Sequence, residues 1–102
     1  MSVLMEFSIF PTDKGESVSA HVSEVIRMIR DSGIDYRLTP MGTIVETEDV
    51  AVALAVVEKA ARILEERDCR RVYSCIKLDI RGGKSGRLEQ KIRSVQEKIG
   101  SA

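Results

Sequence analysis

The segment Arg71–Arg81 alternates almost without error, and that pattern narrows the choice of fold. Val72, Ile76, Leu78 and Ile80 fall on one side, with Tyr73, Cys75, Lys77 and Asp79 on the other. Successive side chains of a strand point to opposite faces, so the segment predicts a long strand with one apolar and one polar face. The apolar face calls for helices to cover it. The polar face, with Lys77 and Asp79 two residues apart, calls for a ligand, a partner or water.

The rest of the chain supplies the covering elements. Val3, Met5, Phe7 and Ile9 mark a first strand that ends at Pro11 and turns Glu6 and Ser8 to its other face. After a polar turn, Ser17 is placed to cap a helix in which Val18, Val22, Val25, Ile26 and Ile29 recur at helical spacing, closing near Ser32-Gly33. Asp35–Thr39 and Thr43–Thr47 read as two short strands around Pro40-Met41-Gly42. That gap is too short for a crossover helix, so they are expected as antiparallel neighbours. Asp49 is a candidate cap for a second helix with the stripe Val50, Ala53, Leu54, Val57, Ala61 and Leu64. Leu88, Ile92, Val95 and Ile99 form a narrow stripe on a third helix.

The order is therefore β-α-β-β-α-β-α. Two right-handed β-α-β units joined by a hairpin give a four-stranded antiparallel sheet with both crossover helices on one face. This is a ferredoxin-like βαββαβ sandwich of the α+β class with an additional C-terminal helix. Strands one and three are then central and strand four lies beside strand one, which brings Glu6 and Ser8 next to Lys77 and Asp79. With 102 residues and no linker or low-complexity stretch, a single domain over residues 1–102 is expected.

Several function classes are disfavoured at this level. Sixteen basic residues cancel sixteen acidic ones, whereas a protein held to nucleic acid by phosphate contacts normally carries a basic surplus. No apolar run is long enough to cross a membrane, and the N-terminus meets Glu6 without a basic region, unlike a secretory leader. Cys69 and Cys75 have neither metal-ligand nor disulfide-framework spacing, so a reduced, cytoplasmic protein with no metal is expected, with Cys75 buried or half-buried in its strand. Gly82-Gly83-Lys84-Ser85-Gly86 suggests a phosphate loop, but the glycine that motif needs five residues earlier is Leu78 here. The single histidine, His21, reads as a surface residue, and no Ser-His-Asp set or cysteine–histidine couple stands out.

The open sheet face also carries Leu4, Phe10 and Tyr73. An exposed apolar patch of that kind marks an interface, so a homo-oligomer is expected, a dimer at least.

The residues also carry a resemblance. Phe7-Ser8-Ile9-Phe10-Pro11, Ser17 with Ser19, Pro40-Met41-Gly42-Thr43 with Val45-Glu46, Arg71-Val72-Tyr73, and Ile76 with Leu78-Asp79-Ile80-Arg81 occur in order along nearly the whole chain. Together they resemble the YkoF-like thiamine-binding superfamily, in its short single-domain branch. The resemblance implies a ferredoxin-like subunit that assembles into homodimers and homotetramers. It also implies binding of thiamine or a pyrimidine-containing relative without catalysis and with no bound cofactor.

Such a ligand suits the residues. Thiamine joins a cationic thiazolium to an aminopyrimidine with donor and acceptor edges, so its site wants carboxylates, hydroxyls and an apolar or aromatic wall. Glu6, Ser8, Ser19, Thr43, Glu46 and Asp79 are the polar candidates, Lys77 joins them on the shared face, and Tyr36 and Met41 are candidates for the wall, with Phe10 or Tyr73. Alternation alone does not decide which of Thr43 and Glu46 points to the open face. Two other readings compete with ligand binding: an oligomerisation module without a dedicated ligand, and a small enzyme using Glu6 and Asp79.

Overall fold

A computed structural model describes residues 1–16, 18–83 and 86–100. Its elements are β1 (Ser2–Pro11), α1 (Ser19–Ser32), β2 (Asp35–Thr39), β3 (Gly42–Thr47), α2 (Val50–Glu66), β4 (Val72–Arg81) and α3 (Arg87–Gly100). The four strands form one antiparallel sheet in the order β2-β3-β1-β4. This is the ferredoxin-like arrangement expected from the hydrophobic pattern, with α3 added.

The register fixes which side chains share a face. Val3, Met5 and Phe7 of β1 stand opposite Ile80, Leu78 and Ile76 of β4, and opposite Thr47, Val45 and Thr43 of β3. The odd residues of β1 are buried with Val45 beneath α1, which contributes Val25 and Ile29, and α2, which contributes Ala53, Val56, Ala60 and Leu64. Leu4, Glu6 and Ser8 face the other way, beside Asp79, Lys77 and Cys75.

Local chemistry explains the helix ends. The Asp49 side chain accepts the backbone N–H of Val52 at 2.8 Å and caps α2. Gly33 closes α1 with φ of 79°, a left-handed conformation that favours glycine. The expected cap Ser17 lies outside the described residues, and the residue flanking α1 is Val18, which makes no side-chain cap bond.

Three expectations change. The buried stripe of α2 is rotated, leaving Ala61 exposed and Leu54 45% exposed. Residues 50–57 are apolar almost throughout, so the sequence leaves the facing stripe undetermined and packing selects it. Cys75 is exposed while Cys69 is buried, because β4 is an edge strand and α3 packs on β3 and β1. The apolar side of β4 is also only partly covered: Ile76, Leu78 and Ile80 are 40–51% exposed.

Candidate functional site: a cavity under the hairpin

A cavity of about 440 Å³ lies between α1, the end of β1 and the β2–β3 hairpin. Phe7 and Ile9 of β1 form one wall, Val18 just before α1 with Val22, Val25 and Ile26 of α1 a second, and the hairpin residues Leu38–Thr43 the third. The hairpin is held by one side chain. Thr39 Oγ1 donates to the Gly42 carbonyl at 2.7 Å and accepts the N–H groups of Met41 and Gly42 at 3.2 and 3.1 Å. Gly42 passes so close to β1 that a Cβ there would sit 3.0 Å from the Phe7 carbonyl oxygen. Met41 is thereby turned outward at the rim, 87% exposed, while Thr43 points inward and is nearly buried. Among the hydroxyl residues of the lining, Thr43 points inward, Thr39 is engaged within the hairpin and Ser8 turns its side chain to the open face; none of the lining residues is charged.

A shallower depression adjoins the cavity, sharing Val22, Ile26 and Leu38 and adding Ser19, Ser23, Arg27, Arg30 and Tyr36. Its two arginines are held by carboxylates of their own helix, Arg27 by Glu24 and Arg30 by Asp31, each at 3.0 Å.

The carboxylates lie elsewhere. Glu46 and Asp79 are on the open face, where they anchor the start of α3. Glu46 accepts the Ser2 hydroxyl and the backbone N–H groups of Arg87 and Leu88, the latter two at 3.0 and 3.1 Å. Burial raises its pKa, but these hydrogen bonds outweigh burial and hold the carboxyl below its ordinary range. Asp79 takes Lys91 Nζ at 2.7 Å and Arg87 Nη1 at 3.0 Å, and these two cations also depress its pKa. The Arg87 side chain is almost fully buried. Its Nε donates to Ser2 Oγ at 3.0 Å and its Nη2 to the carbonyls of Ser2, at 2.9 Å, and Asp79. Glu6 pairs with Lys77 across the sheet at 3.6 Å, and that lysine is mostly exposed.

The nine residues singled out from the sequence therefore fall into three places. Ser8, Met41 and Thr43 border the cavity, and Ser19 and Tyr36 line the adjoining depression. Glu6, Lys77, Glu46 and Asp79 sit on the open face. The alternation left undecided by sequence is resolved: Thr43 stands opposite Phe7 on the helix side and Glu46 opposite Leu4 on the open side.

Two constellations were not visible in the sequence. Arg87 follows a glycine-rich stretch of sequence, and its partners Ser2, Glu46 and Asp79 come from three strands, so no spacing signals it. His21 and Cys69 also meet. Cys69 Sγ lies 3.8 Å from His21 Nδ1, which accepts Arg67 Nε at 2.9 Å, so the chain does contain a cysteine–histidine contact. Among the described residues no group of three or more His, Cys, Asp or Glu side chains gathers as a metal site.

A family model of thiamine-binding proteins matches residues 5–96. The chain belongs to the thiamine-binding protein family. A UPF0045 protein of Mycobacterium bovis is 38% identical over 96 residues, covering 94% of this chain and 93% of that one. The structure of a domain of unknown function from Bacillus cereus matches with a TM-score of 0.82 at 26% identity, over 96% of this chain and 93% of that one. A hypothetical protein of Methanocaldococcus jannaschii matches with a TM-score of 0.79 at 32% identity, over 92% and 95%. This member of the thiamine-binding family thus shares its fold along nearly the full length of those two structures. No helix among its described residues is long and apolar enough to cross a membrane.

Proposed function

We propose that this chain binds a small molecule, thiamine or a related pyrimidine, in the cavity under the hairpin, for sequestration, delivery or sensing in the cytoplasm and without catalysis. The lining of that cavity carries the reading: apolar walls on three sides, the inward-pointing Thr43 hydroxyl and no charge. Such a lining suits a flat, neutral heteroaromatic ring, whose faces the walls cover and whose edge the Thr43 hydroxyl meets. The aminopyrimidine half of thiamine has those properties. A thiazolium cation finds no carboxylate in the walls, so it belongs at the mouth, near Met41. Membership of a thiamine-binding family supports the same ligand class.

Binding is favoured over carboxylate chemistry because Glu46 and Asp79 are committed to α3 and Glu6 lies on the other face of the sheet. Self-association into dimers and tetramers belongs to the same proposal. It is supported by Phe10 and Tyr73, whose rings meet at 5.9 Å on the open face, and by the exposed α3 residues Ile92, Val95 and Ile99.

The test is thermal unfolding with thiamine and, separately, hydroxymethylpyrimidine. A ligand that binds only the folded state raises Tm with concentration. Val22→Trp, which fills the cavity from α1, is expected to abolish the shift. Absence of any shift with both compounds at millimolar concentration overturns the reading.

A further inference from the structure

The depression beside the hairpin cavity differs from it in charge. Val22, Ile26 and Leu38 line both, so the two hollows meet along one apolar seam. The described lining of the cavity holds no charge, whereas that of the depression, about 390 Å³, includes Arg27 and Arg30 and no carboxylate. Ser23, Ile26, Arg27 and Arg30 recur three and four positions apart, which puts them on one face of α1. Across from them β2 turns Tyr36 and Leu38 to the helix side of the sheet, opposite Val45 and Thr43 of β3. A ring seated in the cavity therefore has two guanidinium groups within about one helical turn of Ile26 on the seam.

We propose that the site takes a phosphate monoester of the pyrimidine, with the ring in the hairpin cavity and the phosphate on Arg27 and Arg30. This rests on the cavity reading above and names the class of ligand that fills both hollows. Each arginine has donors to spare. Glu24 occupies Nη1 of Arg27 and Asp31 occupies Nε of Arg30, one nitrogen of each group. A guanidinium carries several further N–H donors in the same planar fork. The two arginine side chains are 57% and 60% exposed, and exposed ion pairs of that kind contribute little. A phosphate monoester at neutral pH carries a charge of about −1.5 to −2 and three strong acceptor oxygens. Forks that approach from two positions on one helix can meet different oxygens of such a group, and charge-assisted bonds of that type are short and strong.

The arginines also select. A cationic thiazolium is repelled where a phosphate is attracted, so the depression sets the monoester apart from thiamine itself. Tyr36 adds a phenol hydroxyl that can donate to a phosphate oxygen, and Ser19 an aliphatic one. Glu24 and Asp31 stay outside the lining, and Glu6, Glu46 and Asp79 lie on the opposite face of the sheet.

The test is calorimetry on the full chain with hydroxymethylpyrimidine, its phosphate monoester and inorganic phosphate. The monoester is expected to bind about tenfold more tightly than the free alcohol, and inorganic phosphate about a hundredfold more weakly than the monoester. In Arg27→Gln/Arg30→Gln, with folding verified by circular dichroism, the advantage of the monoester is expected to fall below about twofold while the alcohol binds as before. In the wild type, added salt is expected to weaken the monoester and leave the alcohol unchanged, a check that needs no variant. Equal affinity of monoester and alcohol, or equal salt dependence, overturns this inference and leaves the cavity reading standing. An advantage undiminished in the double variant overturns the assignment to the two arginines. Inorganic phosphate binding as tightly as the monoester overturns the joint site. Binding of neither pyrimidine overturns the inference together with the cavity reading.

Discussion

The carboxylate of Glu46 receives the backbone N–H of Arg87 at 3.0 Å, across 41 positions of sequence. The same carboxylate takes the N–H of Leu88, so a strand residue caps a helix that follows it from far along the chain. The first N–H groups of any helix lack intrahelical partners and carry the positive end of its dipole, which is why an anion is favoured there. Glu46→Ala is expected to lower stability by about 1–2 kcal/mol. Hydrogen exchange should show faster opening confined to the first turn of α3, and unchanged protection there would contradict the capping role.

Arg87 supplies the other half of the anchor. Its removal leaves Asp79 with Lys91 and strips two partners from Ser2, so Arg87→Ala is expected to cost about 2 kcal/mol in urea unfolding. Arg87→Lys should recover little of that, because one ammonium cannot reproduce the fork that reaches Ser2 and Asp79 together. Full recovery by lysine would show that charge alone matters.

Much of the fold was legible in the sequence because it rests on strict alternation in β1 and β4 and on helical spacing in α1. The four-stranded order followed from connection lengths. The stripe of α2 was misread because an apolar run does not encode which side faces the sheet. The candidate site was only partly legible. Ser8, Met41 and Thr43 were singled out, but nothing in the spacing separated them from Glu46 and Asp79, which serve α3. Arg87 was invisible because its contacts come from Ser2, β3 and β4 at once, and the His21–Cys69 contact because α1 and the turn after α2 meet only in three dimensions.

The two depressed carboxylates make the α3 anchor acid-labile. Both have folded pKa values below their ordinary 4.5 and 3.8, so in the window between folded and unfolded values the unfolded chain binds more protons. Their contribution is fully present above the ordinary values and is lost as pH falls through the lowered ones. Stability measured from about pH 6 down to about pH 3 is expected to fall more steeply in the wild type than in Glu46→Gln/Asp79→Asn. Parallel profiles would refute the assignment.

Met41 offers a separation of binding from folding. Being 87% exposed, its replacement by serine should change stability by less than about 0.5 kcal/mol. Loss of its apolar cover at the cavity mouth should weaken pyrimidine binding by about fivefold in calorimetry. Equal affinity would place the ligand away from the rim.

Thr43→Val keeps shape while deleting a hydroxyl from the cavity wall. Stability should hold within about 1 kcal/mol, while affinity for the pyrimidine should drop by about tenfold. Undiminished affinity would remove Thr43 from the ligand's contacts.

Thr43 and Glu46 lie on one short strand, three positions apart and on opposite faces. β3 is therefore a two-sided ruler whose graduations serve both the cavity and the α3 anchor. A shift of β3 by one residue against its neighbours would exchange the two sides, sending a carboxylate toward the apolar core and a small hydroxyl toward α3. A turn of different length at Pro40-Met41 would leave the spacing of both tasks intact.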